Sequence, residues 1–241
     1  MAYTLRANDI ALTTGHGEPI QKQFAFEDRE HLVGVICHDP RCLPEPATAL
    51  PTTPAPLVQG LLLGELGRAN GENGAPAPPP PYAVALTAGG KVLRFSLAPL
   101  APVSTRKGRV VVRLDPVFRD DLVVGVEPTD GSETICLATK LARVLIFAVT
   151  EANVVSGPAK GVMGIKLDAK DRVLGFALAN KMREGLTVVT NRGATVVVRA
   201  TKYPVTSRGG KGYAVLQRGS LESIVFDEAR PVPTLDEVGD I

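Results

Sequence analysis

The chain repeats itself. Thr87, Thr139 and Thr190 stand 52 and 51 residues apart, and the pairs Lys107-Gly108, Lys160-Gly161 and Lys211-Gly212 stand 53 and 51 apart. Segments starting at Leu86, Ala138 and Val189 align on these anchors. Each runs from its threonine through an apolar strand and a loop to the Lys-Gly pair. Another apolar strand, a turn with Asp or Gly and a last strand follow. A unit of about 50 residues cannot bury both its faces alone, so it must pack on its neighbours. This period restricts the fold more than any single residue does.

Within a unit the apolar runs are short, rich in Val, Ile and Leu, and bounded by Gly, Pro, Asn or Asp, which predicts strands. No long window shows the 3.6-residue period of a helix. The chain is therefore expected to be all-β, with about four recognisable four-stranded blades of a propeller-like array, which suggests an open or reduced ring or a piece of a longer subunit. The weakest copy is "IALTTGHGEPIQKQFAFEDREHLVGVICHD", where Thr13 to Gly34 repeats the 21-residue spacing of Thr87 to Gly108. The expected organisation is one domain over 1–229. It has a degenerate first blade at 1–38, a Pro/Ala/Gly-rich insertion at 39–81, and blades at 82–134, 135–185 and 186–229. In the insertion, Pro78 to Pro81 predict polyproline II, and "LVQGLLLGEL" reads as a stray strand. An acidic tail at 230–241 is expected to be disordered.

Apolar residues make up 44% of the 241, enough for a sizeable core. No apolar run reaches the roughly 18 residues of a membrane span, and the N-terminus lacks the pattern of a secretory signal. Three cysteines give no disulfide framework. These features predict a cytoplasmic protein. "CHDPRC" brings Cys37, His38 and Cys42 together near His31, but the spacing matches no common zinc pattern, so no metal and no cofactor are expected. Cys136 lies in an apolar run and reads as core. Asp120, Asp121, Asp168 and Asp171 read as turn residues rather than paired catalytic carboxylates.

Charge is unevenly spread. Residues 82–220 hold 21 Lys/Arg against 10 Asp/Glu, whereas 1–81 hold 5 against 9 and 221–241 hold 1 against 6. A basic body between acidic ends points to a polyanionic partner. Arg113, Lys166 and Gln217 follow the repeat glycines by five residues, so cations recur at one place. Arg94 and Arg199 lie in the strand before the loop. Lys91, Arg106, Lys107, Arg109, Arg143, Lys160, Arg192, Arg208 and Lys211 fall in turns and loops. If units stand in a ring, these become a curved basic rim that contacts the backbone of bent double-stranded DNA, with little base reading. Aromatic residues are only 5%, without Trp, so a stacking surface for single strands is lacking. In "TSRGGKGY", Gly209, Gly210 and Gly212 leave amides bare for an anion, beside Arg208 and Lys211.

"GVMGIKL", followed by "LTVVTNRGATVVV" and "RGGKG", resembles the C-terminal domain of the gyrase A protein and of its topoisomerase IV counterpart. The resemblance covers residues 82–229 well and the first copy poorly. It implies a β-pinwheel, a propeller-like ring whose blades exchange strands. It also implies DNA bending or wrapping beside the catalytic core and the ATPase subunit of a bacterial type II topoisomerase, in association with the nucleoid. In gyrase the signature box reads Gln-Arg-Arg-Gly-Gly-Lys/Arg-Gly. Here Thr206 and Ser207 replace the first two residues, Arg208 to Gly212 match, and the box sits in the last copy rather than the first blade. A weakened box fits a topoisomerase IV-like role as well as a gyrase-like one.

Tyr3, Tyr82, Tyr203 and Tyr213 lie in no strand-cleaving context, and no Walker-type loop is present. The chain is thus expected to be non-catalytic alone and an accessory part of an ATP-hydrolysing topoisomerase. Two rivals are a protein-interaction scaffold using the Pro-rich insertion and a propeller enzyme with a site in its channel. The enzyme needs converging His or carboxylates, yet His16, His31 and His38 all sit in the weakest copy.

Overall fold

A computed structural model describes residues 1–6, 19, 20, 23, 24, 26, 30–45, 78–118 and 120–225. Thr13, His16, the stray strand of the insertion and the acidic tail lie outside the described residues. Those described form strands and short 3-10 turns, and the architecture is an all-β pinwheel.

The first sheet is built on β1 (Tyr82–Thr87), β2 (Lys91–Ser96) and β3 (Val123–Thr129), with β1 central. The second has β4 (Thr134–Thr139), β5 (Arg143–Ala148) and β8 (Val173–Ala179), with β4 central. Between β5 and β8 the chain reaches back to the first sheet. There β6 (Val154–Val155) pairs parallel with β2, and β7 (Val162–Met163) pairs antiparallel with it. The third sheet has β9 (Gly185–Thr190), β10 (Thr195–Arg199) and β12 (Leu221–Val225). Its connection reaches back likewise. Val205 bridges Ile146 in parallel, and β11 (Tyr213–Ala214) pairs antiparallel with β5. Each unit therefore lends an arm to the sheet before it. Among the described residues the third sheet has three strands rather than the expected four, because no arm lies on its outer edge.

The repeated threonines close the turn between the first two strands of each unit. Thr87, Thr139 and Thr190 accept, through Oγ1, the N–H of Lys91 (3.3 Å), Arg143 (3.2 Å) and Ala194 (3.1 Å). In the second unit Thr139 also donates to Asp171 Oδ2 (2.6 Å), and Asp171 accepts the Leu141 and Arg172 N–H groups. Asp121 plays a related part in the first, accepting the Gly89 N–H at 2.8 Å. These aspartates join the hairpin turn to the start of the last strand, and serve the fold as turn residues.

Alternation does the rest, since successive strand residues face opposite sides. In β4, Ile135 and Leu137 pack with Val84, Leu86 and Val92 of the first sheet. Cys136 and Ala138 pack with Leu186, Val188 and Val198 of the third. The Cys136 thiol is pushed up to about 12 by burial. The far face of the first sheet, Ala83, Ala85, Leu93 and Phe95, is covered in part by Ile36 and Leu43.

Residues 1–6 occupy a definite place. Ala2 and Arg109 exchange backbone bonds of 2.8 Å, as Val92 pairs with Val162 and Val144 with Tyr213. Ser104 donates to the Thr4 carbonyl (3.0 Å), as Thr206 donates to that of Ile146 (2.8 Å). "MAYTLR" thus stands where β2 and β5 stand in the next two units. Gly34 lies against Val126, as Gly125 lies against Phe176 and Gly175 against Ile224. Gly34 is therefore at the last-strand position, not at that of Gly108, where the 21-residue spacing aligns it.

Candidate nucleic-acid interface

The second and third arms form the outer edges of the first and second sheets, and the first arm lies along residues 1–6. At their tips Gly108, Gly161 and Gly212 have φ of 65°, 74° and 68°. A Cβ at these three would collide with the carbonyls of Ala2, Val92 and Val144 respectively. The repeated Lys-Gly spacing is thus a backbone requirement: the glycine lets the arm turn tightly against the preceding strand. It also fixes the preceding lysine in the same place on each arm.

Consecutive arms are bonded to one another. Arg113 N–H donates to Ala159 O (2.9 Å), and Lys166 N–H donates to Gly210 O (2.9 Å). Ala159 N–H donates to Val111 O (3.2 Å), and Gly209 N–H to Gly164 O (2.6 Å). The first, second and third arms are thereby laced into one belt. On it Arg106, Lys107, Arg113, Lys160, Lys166 and Lys211 are all exposed. Arg192 is exposed in the turn between β9 and β10.

The other candidate cations have partners. Lys91 is half-buried with Nζ 4.0 Å from Asp115 Oδ2. Arg94 lies across the Tyr82 ring at 5.0 Å, its Nε buried without an acceptor. Burial holds its pKa below the ordinary arginine range, against the pull of Tyr82, Glu133 and Asp130. Arg109 donates to the carbonyls of Pro102 (2.8 Å) and Val103 (3.2 Å) in its own arm. Arg143 reaches the Gly212 carbonyl at 3.4 Å. Arg199 pairs with Glu184 at 2.7 Å. Arg94 and Arg199 are also two register positions apart: Arg94 corresponds to Ile146 and Val197, Arg199 to Ala148.

The Gly-rich loop is anchored at one end. Arg208 donates its backbone N–H to Glu151 Oε2 (2.9 Å), Nε to Glu151 O (3.0 Å) and Nη1 to Met163 O (3.1 Å). The amides of Arg208 and Gly209 are thus spent inside the protein, and those of Gly210 and Lys211 have no backbone acceptor among the described residues. Arg208 and Gly209 hold the loop while Lys211 projects. Lys140, Lys170, Arg172 and Arg218, exposed cations that the repeat reading did not single out, lie at turns and recur at no fixed offset. The charge count of the body contains them without placing them. No group of three or more His, Cys, Asp or Glu gathers as a metal site among the described residues, and no helix among them is long and apolar enough to cross a membrane.

Exchanged arms on a repeated all-β unit define a class, and the family comparison agrees. The family described as DNA gyrase C-terminal domain, beta-propeller, matches residues 81–130, 133–180 and 186–221, and the chain belongs to it. The gyrase A protein of Staphylococcus epidermidis is 30% identical over 132 residues, which are 54% of this chain and 14% of that protein. The A protein of DNA topoisomerase 4 from Bacillus subtilis is 30% identical over 139 residues, 58% of this chain and 17% of that protein. The crystal structure of the C-terminal domain of DNA topoisomerase IV superposes with a TM-score of 0.53 at 25% identity, covering 60% of this chain and 46% of that one. The chain thus matches a small fraction of the length of the two full-length relatives.

Proposed function

We propose that the chain is a non-catalytic domain that binds and bends duplex DNA for the A-type subunit of a type II topoisomerase of the gyrase or topoisomerase IV kind. Its partners are double-stranded DNA, held by the backbone without base reading, and the catalytic core and ATPase subunit of that enzyme. Its place is the cytoplasm, with the nucleoid. The observation that carries this reading is the laced belt of arms, which presents exposed Arg and Lys side chains in register on successive sheets.

A belt of this kind neutralises successive phosphates when the duplex follows it. Bending a short site costs on the order of 1–6 kcal/mol, which several charge contacts offset. In this proposal Arg106, Lys107, Arg113, Lys160, Lys166, Arg192 and Lys211 meet phosphates. Arg94, Arg109, Arg143, Arg199 and Arg208, with Gly209, Gly210 and Gly212, shape the surface, and Lys91 stands between the two groups.

The test is duplex affinity as a function of salt. The logarithm of affinity should fall linearly with the logarithm of salt, by about 0.9 per phosphate contacted. A flat profile would overturn the assignment. Ligating nicked circular plasmid with increasing protein then reads the path: a change in linking number shows wrapping, and its sign gives the hand.

A further inference from the structure

Among the described residues, the third sheet has an outer edge with no arm upon it. In the first two sheets that edge is filled by Val154, parallel to Arg94, and by Val205, parallel to Ile146. The register places Val197 of β10 at the same position, opposite Thr187 as Ile146 is opposite Cys136. Val197 is 38% exposed, whereas Ile146 is wholly buried. The Ile146 carbonyl accepts from its arm, and a strand residue's N–H and C=O point to the same side. Both polar groups of Val197 therefore face the open edge, and so, two residues away, do those of Thr195. The belt is open at the same place. Gln217 corresponds to Arg113 and Lys166, whose N–H groups bond the next arm, and its own N–H has no backbone acceptor among the described residues.

We propose that residues 231–241 of this chain dock there as a fourth arm. In the first arm Val103 stands five residues before Gly108, but the second and third arms share a longer spacing from the bridging valine to the left-handed glycine, seven residues from Val154 to Gly161 and from Val205 to Gly212. The terminal segment repeats it: "PVPTLDEVG" places Val232 seven residues before Gly239, and Pro231-Val232 matches Pro204-Val205. In this register Val232 lies on Val197, and Gly239 on the carbonyl of Thr195, as Gly212 lies on that of Val144.

The reach is sufficient. Val225 and Val197 both lie opposite Thr187, so the place outside Val197 is three strand spacings from Val225, about 14 Å. The seven residues from Val225 to Val232 extend to about 23 Å. One bond is not copied. Ser104 and Thr206 donate to the preceding strand from the position after the valine, and Pro233 has no N–H to donate. The fourth arm is thus held by one bond fewer than the others.

Amide hydrogen exchange on the full chain tests this. The Thr195 and Val197 amides should be protected, and deletion of 226–241, or Val232→Asp in the intact chain, should speed their exchange by about ten-fold or more with β4 unchanged. Pro233→Thr supplies the missing donor and should slow exchange at Val197 further. Equal exchange with and without the segment would overturn the proposal. So would protection that fades on dilution together with a sedimenting dimer, because the occupant would then be a second copy.

Discussion

The second and third sheets share one plan but are completed to different degrees. The second has β4 at its centre, an arm on its outer edge and a neighbour on each face, and Ile135, Cys136, Leu137 and Ala138 are all buried in succession. The third, among the described residues, has a neighbour on one face. In β9, Leu186 and Val188 are buried while Thr187 and Val189, which alternate with them, are only half-covered. The difference shows that a sheet here owes its core to what its neighbours lend. Its outward face mixes polar Thr187, Thr195 and Ser223 with exposed Val197 and Val225.

This contrast can be broken or sharpened, starting with packing. Phe147→Ala in β5, fully buried between the first two sheets, should cost about 3–5 kcal/mol by chemical denaturation. Val197→Ala on the open edge should cost under about 1 kcal/mol. An equal loss at both positions would mean that the third sheet is as enclosed as the second. The threonine turns come next. Thr139→Val removes the hydroxyl that serves both Asp171 and Arg143 and should cost about 1–3 kcal/mol, since a buried carboxylate loses a donor. Thr190→Val removes a single bond to Ala194 and should cost about 1 kcal/mol or less.

The smallest expected stability change separates two cations in one loop. Lys211→Ala, exposed at the arm tip, should leave the unfolding midpoint in place while reducing the salt slope of DNA binding by about 0.9. Arg208→Ala removes the guanidinium bonds to the Glu151 and Met163 carbonyls, keeps the backbone N–H bond to Glu151 Oε2, and should lower stability by about 1–2 kcal/mol as well as affinity. If Lys211→Ala destabilised the fold and Arg208→Ala did not, the division into contacting and shaping residues would be reversed.

Much of the architecture is legible in spacing, because spacing reflects backbone needs. The threonines recur because each closes a hairpin, and the Lys-Gly pairs recur because only glycine lies on the neighbouring carbonyl without a clash. Register across strands and the partners of each cation are not legible there. Arg94 and Arg199 look alike in sequence but sit two positions apart, one against an aromatic ring and one against Glu184. Arg208 reads as a phosphate contact because it neighbours Lys211, but Glu151, which holds it, is 57 residues away in the chain. Distance from Thr13 aligns Gly34 with Gly108, whereas its neighbour Val126 belongs to a different strand position.

Strand exchange places the natural joints of the molecule out of step with its internal copies. A cut at residue 180, between one unit and the next, would strip β5 of β11 while leaving the second arm in place on β2. A fragment chosen by sequence similarity alone would thus carry a bare edge at one end and a surplus ribbon at the other. Pieces able to stand alone should be bounded half a period away from where the repeats appear to divide.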